Sequence, residues 1–396
     1  MSTFGGELCR LLAERGMSQR ELARRANYDC GFVNKLCRGT RPATSAVAAR
    51  LDAVLDAGGA LVASVNRRQV LAGAAAIAGS SLLGSLDADD RERLAWAQRH
   101  PRRVDQAAVE SLADVLAAQR RAEDALGSAV MIRPVTAQLT AIEDLVTGAR
   151  GQVRHAVVDV AMQWSEFVAW LHTSVRDFPA ARTMWRQTLE LAIEADDATM
   201  TATVLRFSAY MAWLAGQPGS LIGLAQAAQR DRRAAVSQRA FSASLEARGH
   251  AMTGDEQAAE RKLGEAAELG TQLGQRLVEP WSYWYSPGWL ECQSGIALGY
   301  LAHIERYRTQ AIEALASPEM VDSATELTAG YLVHRASIHV RGGDAGEACA
   351  DALRAVPVAR QTSSVSLYTL LTDLHATMAG RWPGDPRVAE LADALR

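Results

Sequence analysis

Cysteine is scarce in this chain. The five cysteines among 396 residues (Cys9, Cys30, Cys37, Cys292 and Cys349) form no CxxC pair. That argues against a disulfide framework or a zinc knuckle and fits a reducing, cytoplasmic setting. Lysine is scarcer still, since 40 of the 42 basic residues are Arg and only Lys35 and Lys262 are Lys. With abundant Ala, this bias follows GC-rich coding sequence and needs no functional reading. GxSxG, GxxxxGK[ST] and HExxH are absent, as is a credible nucleophile–base set, so no enzyme and no cofactor are expected. His155, His172, His303, His334, His339 and His375 are scattered without metal-ligand spacing, so no metal site is expected. The first residues, MSTFGGELCRLLAERG, carry charges before any apolar core forms, unlike a signal peptide.

The chain is 48% apolar and 22% charged, which excludes a disordered protein, and its length suggests two or three domains of about 150 residues. Apolar residues recur at three- and four-residue spacing nearly throughout, and the 11 prolines sit mostly near candidate boundaries. This pattern predicts an all-α protein. Charge is unevenly spread. Residues 1–68 hold 11 Lys and Arg against 6 Asp and Glu, and the remainder holds 31 against 39. A small basic head on a large acidic body points to a nucleic-acid module with a separate body. The expected division is 1–57 for the head, 58–92 for a Gly/Ala-rich connector, and 93–396 for a run of helical hairpins.

The connector contains Asn66-Arg67-Arg68-Gln69-Val70-Leu71 followed by an uncharged stretch to residue 86, which is reminiscent of a twin-arginine export signal. At 18 residues, the uncharged segment 69–86 is at the lower limit for a membrane span. It is Ala/Gly-rich and follows a basic module, so it reads as a helix packed on the body without stable membrane insertion. A reversible membrane-surface contact and a hinge are the alternatives.

The body shows repeats. Asp177-Phe178, Gly216-Gln217-Pro218, Gly254-Asp255 and Gly343-Asp344 each precede small residues at helical spacing. Small residues let paired helices approach closely. The spacing suggests a tetratricopeptide-type solenoid of five to six helix pairs.

Residues 16–39 carry the chemistry. Gly16 suits a helix end, and Ser18 with Glu21 has capping-box spacing. Met17 and Leu22 make a hydrophobic staple. A helix from Gln19, a turn at 27–29 and a helix from Cys30 then follow. Leu22, Ala23, Ala26, Val33 and Leu36 face inward, and Thr44 caps a fourth helix with Val47, Leu51, Val54 and Leu55 on one stripe. The outward face of the third helix would present Cys30, Gly31, Phe32, Asn34, Lys35 and Arg38 to the major groove of double-stranded DNA. Asn34 suits adenine, Lys35 and Arg38 suit guanine or phosphate, and Phe32 suits a thymine methyl. Gln19 and Arg20 would hold phosphates.

The run SQRELARRA…VNKLCRG…P in residues 1–57 resembles the phage-repressor/Cro-like (XRE) helix-turn-helix family. The whole chain resembles actinomycete regulators that join this domain to a tetratricopeptide-like body. That likeness rests on Asn66-Arg67-Arg68, on the run from His100 to Asp105, on Ala125-Leu126-Gly127 and on Pro280-Trp281. Cys30-Gly31 departs from the polar pair frequent at the start of the third helix. The resemblance implies a cytoplasmic, dimeric transcription regulator whose body senses a signal.

Trp281, Tyr283, Trp284, Tyr285 and Trp289 place five aromatics in nine residues of a chain that is 6% aromatic. They make either an aromatic-lined ligand pocket or packing between helix pairs. Trp164, Phe167, Trp170 and Trp185 form a second stripe that reads as core. Asparagine occurs only at 27, 34 and 66, so the body lacks the Asn side chains with which tetratricopeptide quorum sensors grip peptides. That favours a small molecule or a protein partner over a peptide. The leading expectation is a sequence-specific repressor, a homodimer on an inverted repeat, controlled by a ligand on the body. A protein-interaction scaffold with weak DNA binding and a peptide-sensing quorum regulator are the alternatives.

Overall fold

A computed structural model of the chain describes residues 4–26, 30–38, 50–52, 54–55, 57, 88–273, 279–282, 285–316 and 325–396. Among them every regular element is helical, as the apolar periodicity requires. The chain divides into two compact units, Met1–Gly84 and Ser85–Arg396. The twin-arginine-like stretch, and the expected connector up to residue 87, lie outside the described residues. Among the described residues no helix is long and apolar enough to cross a membrane.

The smaller unit contains α1 (Phe4–Glu14), α2 (Gln19–Ala26) and α3 (Cys30–Cys37). Gly16 takes φ +58°, the left-handed turn that ends α1, where a Cβ would be strained. Leu8, Leu11, Leu12, Leu22, Ala26, Val33, Leu36, Leu51 and Leu55 close into one small core. Residues 39–49, including the expected cap Thr44, lie outside the described residues. Leu51 and Leu55 are buried as their stripe predicts, and Arg15 Nε donates to the Leu55 carbonyl at 2.9 Å.

The larger unit begins with α4 (Ala88–Arg99), inside the stretch expected to be connector. Helical hairpins follow: α5 (Gln106–Leu126) with α6 (Ser128–Gly148), α7 (Val153–Ser174) with α8 (Phe178–Glu194), α9 (Ala198–Leu214) with α10 (Pro218–Ala228), α11 (Val236–Met252) with α12 (Glu256–Gly270), α13 (Pro287–Gly299) with α14 (Glu305–Ala314), α15 (Glu326–Gly342) with α16 (Ala345–Thr362), and α17 (Val365–Arg381) with α18 (Pro386–Leu395). That is seven hairpins among the described residues, against the five to six expected. The terminal hairpins turn at Gly127 and at 382–385, signals unlike those of the inner repeats.

The turns named from sequence open the second helix of their hairpins. Asp177, Asp255 and Asp344 each accept from a backbone N–H three residues on and cap α8, α12 and α16. Ala181, Ala225, Ala258 and Ala348 are buried where these helices meet their partners. The first helices of the hairpins form an inner layer, and polar side chains link one to the next. Arg120 of α5 pairs with Glu166 of α7, Arg206 of α9 bonds Gln238 of α11, Arg248 of α11 bonds Gln293 of α13, and Gln293 bonds Tyr331 of α15.

The row of hairpins curves until the first meets the sixth, for α5 also touches α16. A Cβ built on Gly127 would lie 2.4 Å from the Thr362 carbonyl oxygen and 3.0 Å from Glu326 Oε1. The solenoid therefore closes round a cavity.

Candidate nucleic-acid interface and repeat cavity

In the smaller unit, Ser18 Oγ accepts from the Glu21 backbone N–H at 3.2 Å, so the helix cap forms. The reciprocal half of the box does not. The Glu21 carboxylate turns to Arg24 and Arg25 at 2.6 Å, and these two hydrogen bonds draw its pKa down to about 2. Two guanidinium groups outcompete one backbone N–H for the carboxylate.

Leu22, Ala23 and Ala26 of α2 and Val33 and Leu36 of α3 are buried together. Their burial turns the opposite side of α3 outward. Gly31, Lys35 and Arg38 are exposed there and Asn34 is half-buried. Cys30 and Phe32 lie on α3, but their side chains are outside the described ones. Gln19 opens α2 and its Oε1 accepts from Asn34 Nδ2 at 3.1 Å. Arg20, next to it, is exposed. The smaller unit thus brings Gln19, Arg20, Asn34, Lys35 and Arg38 to the paired helices α2 and α3.

A family model described as a helix-turn-helix domain matches residues 3–65. The N-terminal unit is a helix-turn-helix domain. No curated protein matches the chain. A helix-turn-helix domain is consistent with the basic charge of the head, where Arg20, Lys35 and Arg38 are exposed.

The larger unit holds a partly open cavity of about 430 Å³, within the range that takes small ligands. Its apolar walls come from Phe167 and Trp170 of α7, Phe207 and Trp213 of α9, and Trp289 and Ile296 of α13. Arg206 and Arg248 also line it. Their side chains are 1% and 0% exposed. The Arg206 guanidinium lies over the Phe207 ring at 3.7 Å and Arg248 lies over Trp213 at 4.2 Å. Burial draws the Arg248 pKa down to about 10, so the group stays charged at neutral pH. His334 is pushed down to about 3 by burial and by the charges of Arg248 and Arg341, and is neutral.

The aromatic run is divided between two roles. Trp281 and Trp289 border the cavity. Tyr285 is instead packed in the core, 5.9 Å from the Phe241 ring and 4.5 Å from Trp289. Tyr283 and Trp284 lie outside the described residues. The second stripe also divides: Phe167 and Trp170 face the cavity, whereas Trp164 and Trp185 are core. Neither Arg206 nor Arg248 was singled out from sequence. Arg206 is the one charged residue of α9, ATMTATVLRFSAYMAWL, and a lone cation in an apolar helix was the signal available.

Proposed function

We propose that this chain is a sequence-specific, cytoplasmic transcription regulator of the XRE type, with a tetratricopeptide-like sensor body. The observation that carries the reading is the exposed face of α3, with Gly31, Asn34, Lys35 and Arg38 outward over a core built from Val33 and Leu36. A single helix-turn-helix contacts few base pairs, so the working unit is a homodimer on an inverted repeat with half-sites about 34 Å apart. The body holds a small ligand, and the ligand-bound protein releases its operator, which makes it a repressor. Small rotations between neighbouring hairpins accumulate along a solenoid, and a coupling of about 1–3 kcal/mol is enough to alter operator binding.

Footprinting of the full chain on the DNA upstream of its own gene tests this. The expected result is a protected, two-fold symmetric site whose affinity falls steeply with salt. Uniform binding to any duplex would overturn it in favour of a scaffold that holds DNA weakly.

A further inference from the structure

The cavity of the larger unit carries two buried cations without a direct ion-pair partner, Arg206 and Arg248, with Glu166 and Glu279 acting on Arg206 only from a distance. Among the described residues, no carboxylate lies within ion-pair distance of Arg206 or Arg248; of the carboxylates that line the cavity, Glu166 pairs with Arg120 at 3.1 Å, and Glu123, Asp124 and Glu326 belong to α5 and α15. Arg206 uses Nε on Gln238, and Arg248 uses Nη2 on Gln293. Nη1 of Arg206 and both Nε and Nη1 of Arg248 have no hydrogen-bond partner. A buried charge left this way is expensive, and a protein that keeps two gains from an anion that completes them. The same cavity is lined by flat apolar surfaces, chiefly Phe167, Trp170 and Trp213.

We infer that the cavity is a binding site for a small organic carboxylate with a flat or chain-like apolar body, its acid group held by Arg248 and Arg206 and its body laid against the aromatic wall. The inference rests on the ligand-controlled reading above and gives the ligand its chemical class. The neutral His334, whose ring lies 5.7 Å from Trp213, adds a hydrogen-bonding group to the same wall without adding charge. Guanidinium groups suit a planar carboxylate because their N–H groups lie in one plane and match its two oxygens. The cavity volume of about 430 Å³ suits such a molecule and is small for a folded peptide.

The test is calorimetric titration of the full-length protein, without DNA, with benzoate, 1-naphthoate and decanoate, each paired with its primary amide. At least one acid is expected to bind tenfold or more tightly than its amide. Arg248→Met is expected to weaken that acid at least tenfold, leave the amide unchanged and not lower the melting temperature, because a buried unpaired charge has been removed. Arg248→Lys keeps the charge, loses the planar donors and is expected to weaken the acid at least threefold; it serves if the Met variant does not fold. Acids and amides binding alike, no acid binding at all, or full affinity in either folded variant would overturn the inference. An acid that binds here but leaves operator affinity unchanged supports the site and overturns ligand control of DNA binding, so the two failures are distinct.

Discussion

Asn34 on α3 donates from its side-chain amide to Gln19 Oε1, at the first position of α2, across 3.1 Å. The bond uses one of the two N–H groups of the amide. One N–H and the Oδ1 acceptor remain, the pair that the N7 and N6 edge of adenine requires. In the proposed DNA complex, α2 would thereby orient a base-reading side chain on α3.

Replacing Asn34 with Ala is expected to cost about 1–3 kcal/mol of operator affinity, concentrated at one base pair. Gln19→Ala should cost less alone and should not add to Asn34→Ala, with a coupling of at least about 0.5 kcal/mol. Fluorescence anisotropy on the four proteins of the cycle measures it. Additive losses would show that the two side chains act independently.

Arg20 is exposed at the start of α2 and is expected to meet phosphate. Arg20→Ala should weaken operator and unrelated duplex about equally and flatten the log-affinity against log-salt slope by about one. Lys35→Ala should instead narrow the ratio between operator and unrelated DNA. The assignment fails if Arg20→Ala alters that ratio and leaves the slope alone.

Glu123 sits where the solenoid closes. Burial pushes its pKa up to about 7, with Asp124 and Glu326 adding repulsion, while hydrogen bonds from Ser128 and Trp170 pull the other way. The folded-state pKa is above the ordinary glutamate value of 4.5, so the folded protein prefers the protonated acid. The contribution of Glu123 to stability is then greatest in acid, falls as pH rises from about 4.5, and levels off above about 7. Glu123→Gln cannot lose this proton. Its urea midpoint should gain on the parent between pH 5 and pH 8. A constant offset across that range would be the contrary result.

Gly127 combines φ +81° with the 2.4 Å approach of its virtual Cβ to the Thr362 carbonyl. Gly127→Ala must strain the turn and push the first hairpin off the sixth, at a cost of about 2 kcal/mol or more. Gly264 is the control: it lies within α12 with nothing within 4 Å of a Cβ, and Gly264→Ala should stabilise by up to about 1 kcal/mol. Chemical denaturation of both variants reads the contrast, and equal effects would reject the closure argument.

Trp289 is 1% exposed and 4.5 Å from the Phe241 ring, so it supports the cavity wall from within the core. Trp289→Ala should destabilise the larger unit by about 3–5 kcal/mol. A melting curve with only a small shift would mean that the ring is a removable wall panel.

The local grammar of this protein was readable in one dimension because its causes are local. Gly16 before Ser18 marks a helix end and a helix cap; Asp177, Asp255 and Asp344 cap helices by bonding N–H groups three residues away. The inward residues Leu22, Ala26, Val33 and Leu36 follow from helical period alone. Even here competition intervened, since Glu21 chose Arg24 and Arg25 over the Ser18 backbone. The cavity obeys no such rule. Its wall draws Phe167, Arg206, Arg248 and Tyr331 from four separate helices, and its closure sets Gly127 against Thr362. Whether a buried arginine is paired, or an aromatic residue is wall or core, depends on side chains brought together only by the curvature of the stacked hairpins. Sequence period determined which face of each helix is buried; only tertiary packing decided which buried faces meet one another and which meet a void.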